Sequence, residues 1–240
     1  MFAILQITKS NSFFPKLRIH NQRIILPNDE AFFNISVETS RSIKSLKKLE
    51  NCLGILKKDV IINGNTALPD DCGISLFLPD ILPGLLLINS AAGKLKNRRF
   101  RSLILYDEKG IYPDYIDKLI DSFGRIRVIT PSPEKYNSAV RRLMENYGFS
   151  LEISTTADFE GDVIISDSCC VPLYYSGTVF TNEKKYLMNA EIFSGSEINL
   201  PEFYENIRPN NVSSLLFASA LYEKCGVTEL GKLKYTDFGC

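Results

Sequence analysis

Residues 102–168 read SLILYDEKGIYPDYIDKLIDSFGRIRVITPSPEKYNSAVRRLMENYGFSLEISTTADFEGDVIISDS, and the reading of this stretch decides the fold. Ser102–Tyr106 is a short apolar run ending at Asp107, and Ile126–Ile129 is a second. Leu151–Ser154 and Asp162–Ser166 supply a third and a fourth. Such runs are continuous rather than alternating, as in strands buried on both faces. Between the first two, Pro113 stands early in a predicted helix that puts Tyr115, Ile116, Leu119, Ile120 and Phe123 on one face, with Gly124 ending it. Between the second and third, Ser132 is a predicted N-cap and Pro133 a first helical residue. Tyr136, Ala139, Val140, Leu143, Met144 and Tyr147 then recur at helical spacing up to Gly148. Strands and helices in this alternation predict a parallel sheet with helices on both faces.

Working outward, the first hundred residues read as a smaller, β-rich portion. Met1–Ile7 is a first strand rather than a leader, and Lys16–His20 and Arg23–Leu26 flank a predicted tight turn at Asn21-Gln22. Phe32–Glu38 alternates, and a helix carries Ile43, Leu46, Leu49 and Leu53 up to Gly54. Val60–Ile62 and Ile74–Leu78 are further strands, and Pro83 opens a buried helix. Downstream, Thr178–Thr181 adds a strand, and helices over Pro201–Ile207 and Asn211–Cys225 pack back on the body. The division expected is 1–100 for the β-rich portion and 101–240 for the α/β domain with its C-terminal helices.

Scarce residues narrow the chemistry. The 240 residues include one histidine, His20, so triad and multi-histidine metal mechanisms have almost no material, and no metal site is expected. The six cysteines form no CxxC pair. The longest apolar stretch, Ile81–Ile88, is interrupted by Pro83 and Gly84 and is far short of a membrane span, so a cytoplasmic protein with no membrane partner is expected. Basic and acidic residues number 28 each. They are unevenly spread: residues 1–101 hold 15 basic and 8 acidic side chains, residues 102–240 hold 13 and 20. Mutual attraction of the two halves explains this, and so does a basic cleft wall that binds an anion.

In open α/β sheets ligands bind beyond the carboxyl ends of the strands. Those ends carry Asp107, Gly110, Thr130, Ser132, Ser166, Asp167 and Ser168, which are therefore the candidate site residues for an unknown small molecule or protein partner. Asp107 and Ser132 also read as helix caps. The vicinal pair Cys169-Cys170 reads as buried packing, since no histidine lies near it. Asp114, Asp117 and Asp121 read as a solvated helix face, and Asp158, Glu160 and Asp162 as a solubilising loop. The run Lys94–Arg101 places five positive charges in eight residues. It reads as a solvated linker, nucleic-acid binding being the weaker alternative.

Taken together, residues 102–168 resemble the nicotinamide-dinucleotide domain of the shikimate dehydrogenase and glutamyl-tRNA reductase type. RVITPSPEKYNSAVRRLMENYG (127–148) is similar to that family's second strand and helix, with Thr130 matching its threonine. GDVIISDS (161–168) is similar to the strand that lines the nicotinamide side. The resemblance implies a Rossmann-like fold and NAD or NADP as cofactor. The loop after the first strand departs from it. A dinucleotide fingerprint needs glycines there, so that backbone approaches the pyrophosphate. This chain has Tyr106-Asp107-Glu108-Lys109-Gly110-Ile111-Tyr112-Pro113, with two carboxylates where phosphates would lie, one glycine, and a proline lacking an N–H. The family's catalytic lysine and Asn-Val-Thr motif find no match in residues 1–100. No cofactor is therefore expected, and the function expected is a non-catalytic small-ligand or protein-binding module. The alternative is an NAD(P)-dependent oxidoreductase holding its cofactor in another pose.

Overall fold

The computed structural model describes residues 1–9, 18–39, 43–63, 68, 73–156, 158, 160–167, 172, 174–182 and 190–239. In chain order the regular elements are β1 (Ala3–Lys9), β2 (Arg18–Ile25), β3 (Ala31–Thr39), α1 (Ile43–Leu53), β4 (Val60–Ile62), α2 (Leu82–Leu95) and β5 (Phe100–Tyr106). They continue with β6 (Phe123–Ile129), α3 (Asn137–Tyr147), β7 (Leu151–Ser154), β8 (Val163–Ser166), β9 (Thr178–Thr181), β10 (Glu191–Phe193), α4 (Glu202–Ile207) and α5 (Ser214–Cys225). The chain forms two compact units. One comprises Met1–Asp80 with Leu200–Leu230, the other Ile81–Asn199 with Gly231–Cys240. The boundary thus falls near residue 80 rather than 100, and the helices expected on the α/β body belong to the first unit.

The first unit is built on a four-stranded mixed sheet ordered β2-β3-β1-β4. Strand β1 is parallel to both β3 and β4, and β2 is antiparallel to β3. Both faces of β1 are buried. Ala3, Leu5 and Ile7 pack with Ile35, Val37, Leu49, Leu53 and Val60. Phe2 stacks on Phe32 at 5.2 Å between ring centroids, and Phe217 of α5 meets both edge-on. That aromatic cluster is why α5 belongs to this unit. The helix starts at Ser213, whose side chain accepts a hydrogen bond from the Leu216 N–H, and ends at left-handed Gly226.

Two expectations for this unit are corrected. Residues 18–25 form one continuous strand, with Asn21 and Gln22 paired to Ile35 and Asn34, not two strands and a turn. His20 sits exposed opposite Ser36. Of Ile74–Leu78, only Leu76 forms a bridge, to Val60.

The second unit contains a six-stranded sheet, ordered β10-β9-β8-β5-β6-β7, in which every pairing is parallel. Numbered by appearance within the unit and read from its far edge, this is the order 3-2-1-4-5-6, that of a doubly wound Rossmann-like sheet. Leu103, Ile104, Leu105, Ile126, Val128, Val163, Ile164 and Ile165 are all buried, as the continuous apolar runs require. Helix α2, opened by Pro83, packs on β8 and β9. The α3 helix ends as expected, with Gly148 left-handed at φ 62° and its N–H bonded to Met144 O.

The crossover from β5 to β6 differs from the expected helix. It holds two 3-10 turns, Ile116–Lys118 and Ile120–Ser122, and β6 already starts at Phe123. The buried positions are Ile116, Leu119 and Ser122, a spacing of three that suits 3-10 geometry. Arg142 from α3 fixes this path by donating to Pro113 O at 2.7 Å and to both Asp117 oxygens at 2.7 and 3.1 Å. Asp117 is thus half of a bidentate pair rather than part of a free acidic face. Among the described residues, no helix is long and apolar enough to cross a membrane.

Ser132 precedes the 3-10 turn Pro133–Tyr136 but makes no side-chain cap bond, whereas Ser213 does. Ser213→Ala is therefore expected to cost about 1 kcal/mol and Ser132→Ala less than about 0.5 kcal/mol, read by urea unfolding of each variant.

Candidate functional site at the carboxyl ends of β5 and β8

Strands β5 and β8 are adjacent, in a register that pairs Tyr106 with Ser166. The next residues, Asp107 and Asp167, therefore leave the sheet side by side where the strand order reverses. This is the position at which ligands enter doubly wound sheets.

Asp107 is completely buried. The loop behind it turns back because Gly110 adopts φ 67°, and a Cβ there would come within 2.4 Å of the Lys135 side chain. The turn aims three backbone N–H groups at the Asp107 carboxylate. Gly110 and Ile111 donate to Oδ1 at 2.8 and 3.1 Å, and Tyr112 donates to Oδ2 at 3.0 Å. The Tyr136 hydroxyl adds a fourth donor at 2.5 Å. Burial, followed by the charge and hydrogen bond of Asp107, pushes the Tyr136 phenol far above its ordinary range, so it stays a donor.

Successive backbone N–H groups facing one point form an anion nest. In a dinucleotide domain the loop after the first strand offers its N–H groups to a pyrophosphate. Here the chain supplies the anion itself. The N–H groups of Gly110, Ile111 and Tyr112 all bond this carboxylate, and Pro113, next in the loop, has no N–H to add.

Beside the nest stand two polar atoms with no hydrogen-bond partner among the described residues: the Tyr112 hydroxyl and Asp167 Oδ1. Tyr112 is fully buried, and the Asp167 side chain is 6% exposed. Lys109 Nζ approaches the other Asp167 oxygen at 4.0 Å. Burial raises the Asp167 carboxyl to about 6 against the opposing pull of Lys109, with Asp107 and Glu108 adding to the rise. Burial also lifts the Tyr112 phenol well above its usual value, and Asp167 is the charge acting most strongly on it. On the α2 side, Gly84 makes room for this ring: a Cβ there would lie 3.0 Å from the Tyr112 hydroxyl.

The remaining expected residues divide. Ser166 is fully buried at the end of β8. Thr130 is buried too, and its Oγ1 accepts the Ser132 N–H at 3.2 Å, closing a turn after β6. Ser168, with Cys169 and Cys170, lies outside the described residues. Asp162, read as a solubilising loop residue, instead accepts the Arg101 and Ser102 N–H groups at 2.8 and 3.2 Å and anchors the start of β5. Asp158 pairs with Arg127. Among the described residues, no group of three His, Cys, Asp or Glu side chains is placed to hold a metal ion. The sequence reading missed Tyr112 and Tyr136. Tyr136 was absorbed into an apolar helical stripe that also holds Tyr147, so its phenol gave no separate signal.

No family model and no curated protein matches the chain. Among solved structures, it is similar to L-tryptophan dehydrogenase from Nostoc punctiforme, with 10% identity and a TM-score of 0.35, over 82% of this chain and 64% of that one. The chain thus spans less than two thirds of that protein's length.

A carboxyl whose native pKa is raised favours folding only while protonated. The protein is expected to lose stability as pH rises from about 4 through about 6 because of Asp167. Asp167→Asn should stabilise it by about 1–3 kcal/mol at pH 7.5 and by almost nothing at pH 4. Urea unfolding of both proteins at the two pH values measures this. Tyr136→Phe, which leaves a buried carboxylate one donor short, should cost about 1.5–3 kcal/mol at pH 7.5.

Proposed function

We propose that the Rossmann-like unit is a small-ligand-binding module without dinucleotide catalysis, its ligand meeting Tyr112 and Asp167 beyond β5 and β8. One observation carries this reading: the N–H groups of Gly110, Ile111 and Tyr112 are already satisfied by the Asp107 carboxylate. An incoming pyrophosphate would have to displace a buried, four-fold hydrogen-bonded group and would then face its charge at short range. No cofactor is assigned on this reading.

The chemistry of the ligand follows from the two unpartnered atoms. Tyr112 offers an O–H donor and Asp167 Oδ1 an acceptor, both buried. A hydroxyl group satisfies both, accepting from the phenol and donating to the carboxylate. Leaving either atom unpaired costs about 1–3 kcal/mol, which favours a ligand that supplies the missing bonds. The strand order and the place of the site also suit a second reading, an NAD(P)-dependent oxidoreductase holding its cofactor in another pose.

Thermal unfolding separates the two. The proposal predicts no shift with NAD, NADP, their reduced forms, ADP or S-adenosylmethionine at millimolar concentration. It predicts a shift with at least one polyhydroxylated small molecule from a panel, lost in Tyr112→Phe. A ligand at about 100 times its Kd stabilises by about 2.7 kcal/mol, several degrees for a domain of this size. A dinucleotide shift of that size contradicts the proposal and supports the oxidoreductase.

A further inference from the structure

At the amino ends of β5 and β6, the opposite end of the sheet from Asp107, three chain segments distant in sequence bring cations to one place. A cavity of about 600 Å³ lies there, lined in part by Lys96, Arg98, Arg99, Lys118, Asp121 and Ser122. The first segment leaves the end of α2 through Asn97, whose φ of 69° is left-handed, and the Arg98 N–H returns to Leu95 O at 2.9 Å. The second is the 3-10 turn ending at Lys118. The third is residues 231–234, with Lys232 and Lys234.

Their convergence is built, and buried Asn89 is its hub. Its Nδ2 donates to Gly231 O at 2.8 Å and Leu233 O at 3.0 Å, while its Oδ1 accepts from Lys118 Nζ at 2.5 Å. Ser122 Oγ, bonded to Leu95 O at 3.2 Å, joins the other two walls. One Asn89 side chain thus ties the Lys118 turn and the Lys232–Lys234 segment to α2, which itself leads into Lys96 and Arg98. Among the described residues, no carboxylate pairs with Lys96, Arg98, Arg99, Lys118, Lys232 or Lys234. Asp121 is the one acidic side chain among the cavity's lining residues. Burial lowers the Lys118 ammonium below its ordinary value, and the charges of Lys234 and then Lys232 lower it further. The carboxyl end of α2 attracts a cation such as Lys96. It does not account for Lys118, Lys232 and Lys234 arriving from elsewhere with no paired carboxylate among the described residues.

We propose that this cavity is a second binding site, for a small molecule carrying three or more linked phosphates, a chain long enough to span the three cationic segments that two phosphates would not. Its volume lies in the range of small-molecule sites, about 300–1,000 Å³. Arg98 and Arg99 offer forked guanidinium donors suited to phosphate oxygens, and Lys118 keeps two of its three N–H donors after bonding Asn89. The site is separate from Tyr112 and Asp167, and it takes an anion where that site takes a neutral hydroxyl.

The test is isothermal titration of the full chain with tripolyphosphate at constant ionic strength, beside orthophosphate and a single-stranded oligonucleotide. The expected result is tripolyphosphate binding at least tenfold tighter than orthophosphate. It should weaken tenfold or more in Arg98→Gln/Arg99→Gln and, independently, in Lys232→Gln/Lys234→Gln. All four side chains are exposed, so the variants keep the fold. Tyr112→Phe should leave the titration unchanged, which separates this proposal from the ligand site beyond β5 and β8. Absence of tripolyphosphate binding, binding in either double variant as tight as in the unaltered protein, or tighter binding of the oligonucleotide with a steep loss in salt would each overturn it.

Discussion

A buried carboxylate held by four donors is the constraint around which the α/β unit is arranged. Leaving Asp107 unpaired in the interior would cost several kilocalories per mole, so the loop after β5 must present its N–H groups inward. Gly110 supplies the left-handed turn, and the ring of Tyr136 must reach across from the start of α3. Tyr112 is placed by the same bond that its N–H makes to Asp107 Oδ2. Its hydroxyl then lies buried near Asp167 with no hydrogen-bond partner among the described residues, and Gly84 of α2 is the small residue that permits it. One interaction thus holds the three loop N–H groups and sets the geometry of what stands next to them.

The two proposed sites follow different physical logic at opposite ends of one sheet. Beyond β5 and β8, burial works against charge: Asp167 is lifted toward neutrality, and two polar atoms lack partners. At the amino ends of β5 and β6, exposed cations are gathered around Asn89 with no ion pair among the described residues. The first environment suits a neutral, hydrogen-bonding ligand and the second an anion.

Much of this was legible in residues 102–168. The strands β5, β6, β7 and β8 show as apolar runs because a parallel sheet buries both faces, and the positions of Asp107 and Asp167 follow directly from where such strands end. The crossover through 113–122 was misread because Ile116, Leu119 and Ser122 fit a period of three, while Ile120 and Phe123 completed a pattern of 3.6. Strand β2 lies at a sheet edge with mostly exposed side chains, so it lacks the alternation that marks a half-buried strand, and Asn21-Gln22 imitated a turn. Three-residue β10 is too short to carry a pattern. The units could not be read locally at all. Phe217 is assigned to the first by rings at Phe2 and Phe32, and no window of sequence contains them together.

Amide hydrogen exchange at Gly110, Ile111 and Tyr112 tests the central claim most directly. Donors locked on a buried carboxylate open only with the unit around them. The account predicts protection of these three loop amides comparable to that of the β5 strand amides, and its collapse in Asp107→Ala while β5 stays protected. Exchange in the unaltered protein at the rate of an exposed loop would contradict it.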